Sequence, residues 1–137
     1  LNYPEFEDEN NLSFVVQMKL NDVGFLFPGD LEKKGWETLL ARNARFRAAA
    51  TDASVLIAPH HGRESGIYPE LFTKYGCKPY WVVISDKGYA YDTQQTVPFY
   101  SSHAKGAAFR GDDRKVLTTR NDDEISFWFN DGGWGAR

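Results

Sequence analysis

"VLIAPHHGRES", residues 55–65, is the stretch on which the reading of the fold turns. Four apolar residues run from Val55 to Ala58 and Pro59 stops them. Two of the chain's three histidines, His60 and His61, then stand side by side before Gly62. A short, continuously apolar run between breakers suits a strand covered on both faces, as in parallel sheets flanked by helices. "YWVVIS", residues 80–85, is a second run of this kind. Upstream, "LSFVVQMKL", residues 12–20, places Leu12, Phe14, Val16, Met18 and Leu20 at period two, which predicts a strand. Asn21-Asp22 then reads as a turn and "VGFLF", residues 23–27, as the returning arm of a hairpin.

Helical spacing fills the gaps. From residue 31 to about residue 50, Trp36, Leu39, Leu40 and Phe46 form one apolar stripe, with Lys33, Lys34, Arg42 and Arg45 on the other side. A second helix is predicted over 68–75 with Gly76 as its stop, and a third from 97 to about 105. Between them "DKGYAYDTQQTVP", residues 86–98, reads as a polar loop. "RKVLTT" and "EISFWF" alternate on either side of Asn121-Asp122-Asp123, which predicts a closing hairpin followed by a polar, glycine-rich tail, "NDGGWGAR". Strands alternating with helices indicate a single α/β domain, or part of one, with a mixed sheet and flanking helices.

Bulk composition narrows the function classes. The chain has 137 residues, of which 42% are hydrophobic, enough for one domain with its own core. The net charge of -3 gives no overall positive field toward nucleic acid or anionic lipid, so any polyanion must meet a local patch. One cysteine, Cys77, excludes an internal disulfide and cysteine-based metal clusters. No apolar run approaches the roughly 20 residues that cross a bilayer, so no membrane contact is expected from this segment and a cytoplasmic location is the expectation. The opening "LNYPEFEDEN" and the lone Met18 lead us to expect a segment ahead of Leu1.

Three polar signals each follow a predicted strand: Gly29-Asp30, His60-His61-Gly62 and Ser85-Asp86. Parallel strands would bring them to one rim, where open α/β sheets place ligands. Carboxylate plus imidazole is a donor mix that suits zinc, manganese or iron. Taken singly, each has a plainer reading. Asp30 precedes a helix and reads more simply as its N-cap. The histidines read as loop residues satisfied by backbone or water, Ser85-Asp86 as a turn, and His103 as an exposed histidine on a helix flank. Arg110, Arg114, Lys115 and Arg120 form a basic stretch that could meet phosphates, although a solvated hairpin flank is the simpler role.

Taken together, "NNLSFVV", "FLFPGD", the helix carrying Trp36-Glu37-Thr38-Leu39-Leu40, "VLIAPHHGRES", "YWVVIS" and "RKVLTTRNDDEISF" resemble, in order, the C-terminal half of a metallo-β-lactamase-fold hydrolase. The closest likeness is to the hydrolase domain of ComEC-type competence proteins, over residues 10–129. The resemblance implies half of an αββα sandwich whose N-terminal half lies outside this chain. It implies two divalent metals, zinc or manganese, held at the edge between the halves, with Asp30 and His60 as ligands and His61 beside them in the catalytic site. Asn11, Ser13, Arg63 and Ser85 would line the substrate cleft. The implied reaction is hydrolysis of a phosphodiester, with nucleic acid as a possible substrate. Membership of a membrane competence protein would place the domain outside the cytoplasm.

Departures from the pattern set the alternatives. The family's His-x-His-x-Asp-His does not occur here, Val97-Pro98 stands where a His-Pro is common, and Arg63 stands where His-His-Gly is usually followed by serine. A catalytic zinc takes about three protein ligands and a metal pair needs more. This chain alone is therefore expected to bind none tightly, and to find its partner in the other half of the fold or in a second copy. The rival expectations are a non-catalytic, fold-completing or protein-interaction half-domain, and a thioester, lactone or β-lactam hydrolase on the same fold.

Overall fold

The computed structural model describes residues 9–86 and 94–137. A hairpin of β1 (Val16–Leu20) and β2 (Val23–Phe27) opens the main sheet. It turns at Asn21, which adopts a left-handed φ of 51°. β3 (Val55–Ile57), β4 (Trp81–Ile84) and β7 (Val116–Thr118) add to it in the order β1-β2-β3-β4-β7. From β2 onward every pairing is parallel, so the C-terminal ends of four strands share one edge.

Period-two alternation sends the two faces of this sheet to different layers. Leu26, Leu56, Val82, Ile84 and Val116 face the helices. These are α1 (Lys33–Arg42), α2 (Ala44–Thr51), α3 (Glu70–Thr73) and α4 (Val97–His103). Val23, Phe25, Val55, Trp81, Val83 and Leu117 face a second, four-stranded sheet. It runs β6 (Asp112–Arg114), β5 (Ala107–Phe109), β9 (Gly133–Ala136) and β8 (Phe127–Asn130). Phe25 and Phe127 meet edge to face at 5.0 Å, and Trp81 and Trp134 at 5.5 Å. Such aromatic pairs add to the area they bury. The result is α/β, a mixed sheet with helices on one face and a small sheet on the other.

Several sequence expectations are corrected. The helix expected over 31–50 is two helices, because Asn43 is extended (φ -120°) and its side chain caps α2 by accepting from the Phe46 amide. The first strand starts at Val16, since residues 9–12 form a 3-10 turn. The helix expected over 68–75 is a short piece, Glu70–Thr73. The closing hairpin does not form. β7 joins the main sheet beside β4, the Asp122 carboxylate turns the chain by accepting from the Thr118 amide, and β8 pairs with β9 in the supposed tail. Phe127 and Phe129 pack against this chain's own second core. His103 is half-buried between Phe72 and Phe99. Of the polar loop read over 86–98, residues 87–93 lie outside the described residues, Gln94–Thr96 form a 3-10 turn and Val97 and Pro98 begin α4; residues 1–8 also lie outside the described residues. Among the described residues no helix is long and apolar enough to cross a membrane.

Candidate metal centre

The shared strand edge gathers what the sequence scattered. Asp30 follows β2, His60 and His61 follow β3, Ser85 and Asp86 follow β4, and Thr119 and Arg120 follow β7. Backbone bonds draw the first two loops together, because the His60 amide donates to the Gly29 carbonyl at 2.9 Å. His61 Nε2 then lies 3.4 Å from Asp30 Oδ1, with both side chains about half exposed. On its other side His61 Nδ1 lies 3.2 Å from the Ser85 carbonyl oxygen. A carbonyl only accepts, so Nδ1 carries the proton. In the neutral ring Nε2 is then bare and faces a carboxylate oxygen. Two acceptors confront one another, and a shared cation relieves that contact.

His60 is placed otherwise. It is buried, its Nδ1 is 2.8 Å from Glu32 Oε1 and 3.0 Å from Ser65 Oγ, and Arg63 Nη1 approaches its Nε2 at 3.0 Å. Guanidinium only donates, so here too the proton resides on Nδ1. His61, not His60, is thus the imidazole beside Asp30.

The loop geometry is strained on purpose-built supports. His60, His61 and Gly62 all have positive φ, at 49°, 56° and 83°. Consecutive non-glycine residues in this region are uncommon and concentrate where function holds them. The Gly62 carbonyl accepts from Thr96 Oγ1 at 2.7 Å, and the Arg63 amide donates to the His60 carbonyl at 3.0 Å.

The residues expected to line a cleft make the following contacts within the chain. Asn11 is buried, and its Oδ1 accepts from the amides of Glu32 at 3.2 Å and Gly35 at 2.7 Å, so it caps α1 from outside that helix. Ser13 Oγ accepts from the Asp30 amide at 3.0 Å and donates to the Asn10 carbonyl at 2.7 Å. Ser85 contributes its carbonyl, while the Asp86 carboxylate pairs with Arg120 and the Asp86 amide donates to Thr119 Oγ1 at 2.8 Å. Of the basic stretch, Arg110 donates to the carbonyls of Asp122 and Glu124, and Arg114 pairs with Asp122. Both guanidinium groups thus have partners within the chain, with Arg110 at the surface and Arg114 partly so.

Asp30 and His61 fit a divalent ion by donor chemistry, but among the described residues no group of three or more His, Cys, Asp or Glu side chains converges. Two donors fall short of the three or more that a catalytic metal takes. Glu32 belongs to no motif, and Ser65, though it ends the stretch 55–65, has nothing in the sequence that marks it as a partner of His60. Only the meeting of the β2 and β3 loops reveals them. No protein-family model, no curated protein and no solved structure matches this chain.

Proposed function

We propose that this chain is one part of a metal-dependent hydrolase of the metallo-β-lactamase type, acting on a phosphodiester. Asp30 and His61 are its contribution to a two-metal centre, and the other donors come from a further segment or a partner. The observation that carries this reading is the Asp30 and His61 pair, 3.4 Å apart on the rim of a parallel sheet, with the Ser85 carbonyl on the other side of the imidazole. When bound, the metals would supply Lewis acidity toward a phosphoryl oxygen and acidify water. Asp30 orients its carboxylate from an amide held by Ser13, and the Ser85 carbonyl fixes the tautomer that turns His61 Nε2 to the rim. Phosphodiester as the substrate class follows from the resemblance to competence hydrolases.

A fold-completing role is favoured by one further observation. β1 is an edge strand whose Val16, Met18 and Leu20 are exposed, next to Phe14, which is 95% exposed. A groove of about 720 Å³ is lined by Phe14 together with Val15, Leu26, Leu39 and Phe46. Natural edges are usually blunted by charge, proline or bulges. Here the one charge on the strand, Lys19, is engaged by Asp52 at 3.4 Å. The partner that packs on this edge is the proposed source of the missing donors.

The test is metal analysis and hydrolysis of bis-p-nitrophenyl phosphate by the longer protein or by the complex with that partner. Roughly two equivalents of zinc or manganese are expected. Asp30→Asn and His61→Ala should each weaken metal binding by more than about 10-fold, the loss that even outer-sphere changes cause. A complete form that binds no metal, or ignores both substitutions, overturns the enzyme reading and leaves the interaction role. Turnover of a β-lactam chromophore alone would reassign the substrate.

A further inference from the structure

We infer that the occupant of the β1 edge is a second copy of this chain, paired antiparallel through β1 about Met18. As the identity of the partner at the rim this rests on the reading above; as a contact it rests on β1 alone. The bonds of β2 fix which backbone groups β1 leaves free. The Ser54 amide donates to the Gly24 carbonyl at 2.8 Å and the Gly24 amide to Ser54 Oγ at 3.3 Å, so Gly24 turns toward β3. Alternation then turns Val23, Phe25 and Phe27 toward β1, and their partners Leu20, Met18 and Val16 toward β2. The amides and carbonyls of Gln17 and Lys19 are directed out of the sheet, where β1 has no neighbouring strand among the described residues. Such an edge is a template for a further strand.

The strand complements itself in one register. With a dyad at Lys19 two ammonium side chains would stand directly opposite, which is unfavourable. With a dyad at Gln17, Lys19 and Leu20 would fall beyond the end of the other β1. With the dyad at Met18 the two strands overlap from end to end. Gln17 and Lys19 then exchange backbone bonds across it, while Met18 meets Met18 and Val16 meets Leu20 as the closer, non-bonded pairs. The exposed Val16, Met18 and Leu20 of each copy thereby gain apolar neighbours. Lys19 meets no like charge, since it stands opposite Gln17 and keeps Asp52 of its own chain at 3.4 Å. The same register sets Asn21 and Asp22 of the second copy opposite Val15 and Phe14. That is the end of β1 at which Ser13 Oγ accepts from the Asp30 amide, so the exposed Asp22 carboxylate arrives on that side of the rim. The contact is isologous and closes at two copies.

Sedimentation of the full chain should show a dimer with a Kd below about 100 µM. Gln17→Pro deletes one outward N–H without touching the ladder between β1 and β2, a change that edge strands accept. It should weaken the dimer by more than about 10-fold while the circular dichroism stays native. Gln17→Ala, which keeps the N–H, should dimerise like the wild type. If Gln17→Pro fails to fold, cysteine cross-linking takes its place, with the native Cys77 buried and out of reach. Under mild oxidant Met18→Cys should form a disulfide-linked dimer at least about 10-fold faster than Gln17→Cys or Lys19→Cys, because only position 18 faces itself within bonding distance. A wild type that is monomeric at about 100 µM, a folded Gln17→Pro that dimerises unchanged, or fastest cross-linking at position 17 or 19 overturns the inference. Asp30→Asn and His61→Ala lie outside β1 and should leave the dimer intact. A dimer whose complete form takes up no zinc defeats the metal reading and leaves the pairing standing. A monomer whose complete form takes up zinc does the reverse.

Discussion

His60, His61 and Gly62 pass through left-handed backbone in succession, and the two side chains there live in opposite surroundings. A left-handed φ costs a non-glycine residue about 1 kcal/mol, so glycine is the residue such a turn prefers on local grounds. His61 is exposed and its contacts to Asp30 and Ser85 are at the rim. His61→Gly should therefore leave stability unchanged or raise it by up to about 1 kcal/mol in urea unfolding. His60→Gly relieves similar strain but strips partners from Glu32, Ser65 and Arg63 in a buried place. It should cost about 2 kcal/mol net. Equal losses from both would mean that His61 is there for the fold, and the functional account of the strain would go. In the amino-acid sequence residues 60 and 61 are legible as a pair worth notice, because a proline-terminated apolar run ends at them. Which ring faces Asp30 is not legible there, since that depends on two adjacent φ angles and on Glu32, which no local spacing connects to position 60.

At the level of elements, α1 shows how a site can depend on a cap borrowed from afar. Its N-cap residue, Glu32, makes no capping bond with its side chain, and Asn11 supplies the acceptor for the amides of Glu32 and Gly35. The fit is close: a Cβ on Gly35 would come within 2.6 Å of Asn11 Oδ1 and 2.3 Å of Leu31 Cδ1. Asn11→Ala leaves two helix-end amides without their acceptor and should cost about 2 kcal/mol in thermal or urea unfolding. Asn11→Asp, which keeps the acceptor and suits the positive end of the helix dipole, should recover most of that. If Asn11→Ala unfolds like the wild type, the residue belongs to the cleft, as the resemblance implied, and not to the cap. Strands β3 and β4 are legible in the sequence because continuous apolar runs bounded by breakers leave few alternatives. The second sheet is not. Its strands are three or four residues long, β6 is Asp-Asp-Arg, β9 carries two glycines, and the contact between β5 and β9 joins residues 109 and 136, too far apart for any turn signal. The break at Asn43 is hidden for a different reason: the apolar stripe continues from Leu40 to Phe46 across it.

For the molecule as a whole, the helix-side core closes over groups whose ionisation opposes the native state. Cys77 is fully buried in it, and burial pushes its thiol up from an ordinary 9.0 to about 12, with Lys105 pulling weakly the other way. Burial also raises Tyr100, and burial followed by the nearby Glu70 and Glu37 carboxylates raises Tyr68. Below pH 9 the thiol is protonated in both folded and unfolded chains and favours neither. Between about pH 9 and pH 12 the unfolded chain gives up that proton and the native chain keeps it. The native state then binds more protons, so its stability falls as pH rises, by up to about 1.4 kcal/mol per pH unit for one such group. The tyrosines join above about pH 10 in the same direction. Urea midpoints measured from pH 7 to pH 11 should be flat to about pH 9 and then decline. In Cys77→Ala the plateau, whatever its height, should extend to about pH 10, where the phenols take over. Coincident onsets in the two proteins would mean that the thiol reaches water before the fold opens, and the helix layer would then be looser over α3 than its packing implies.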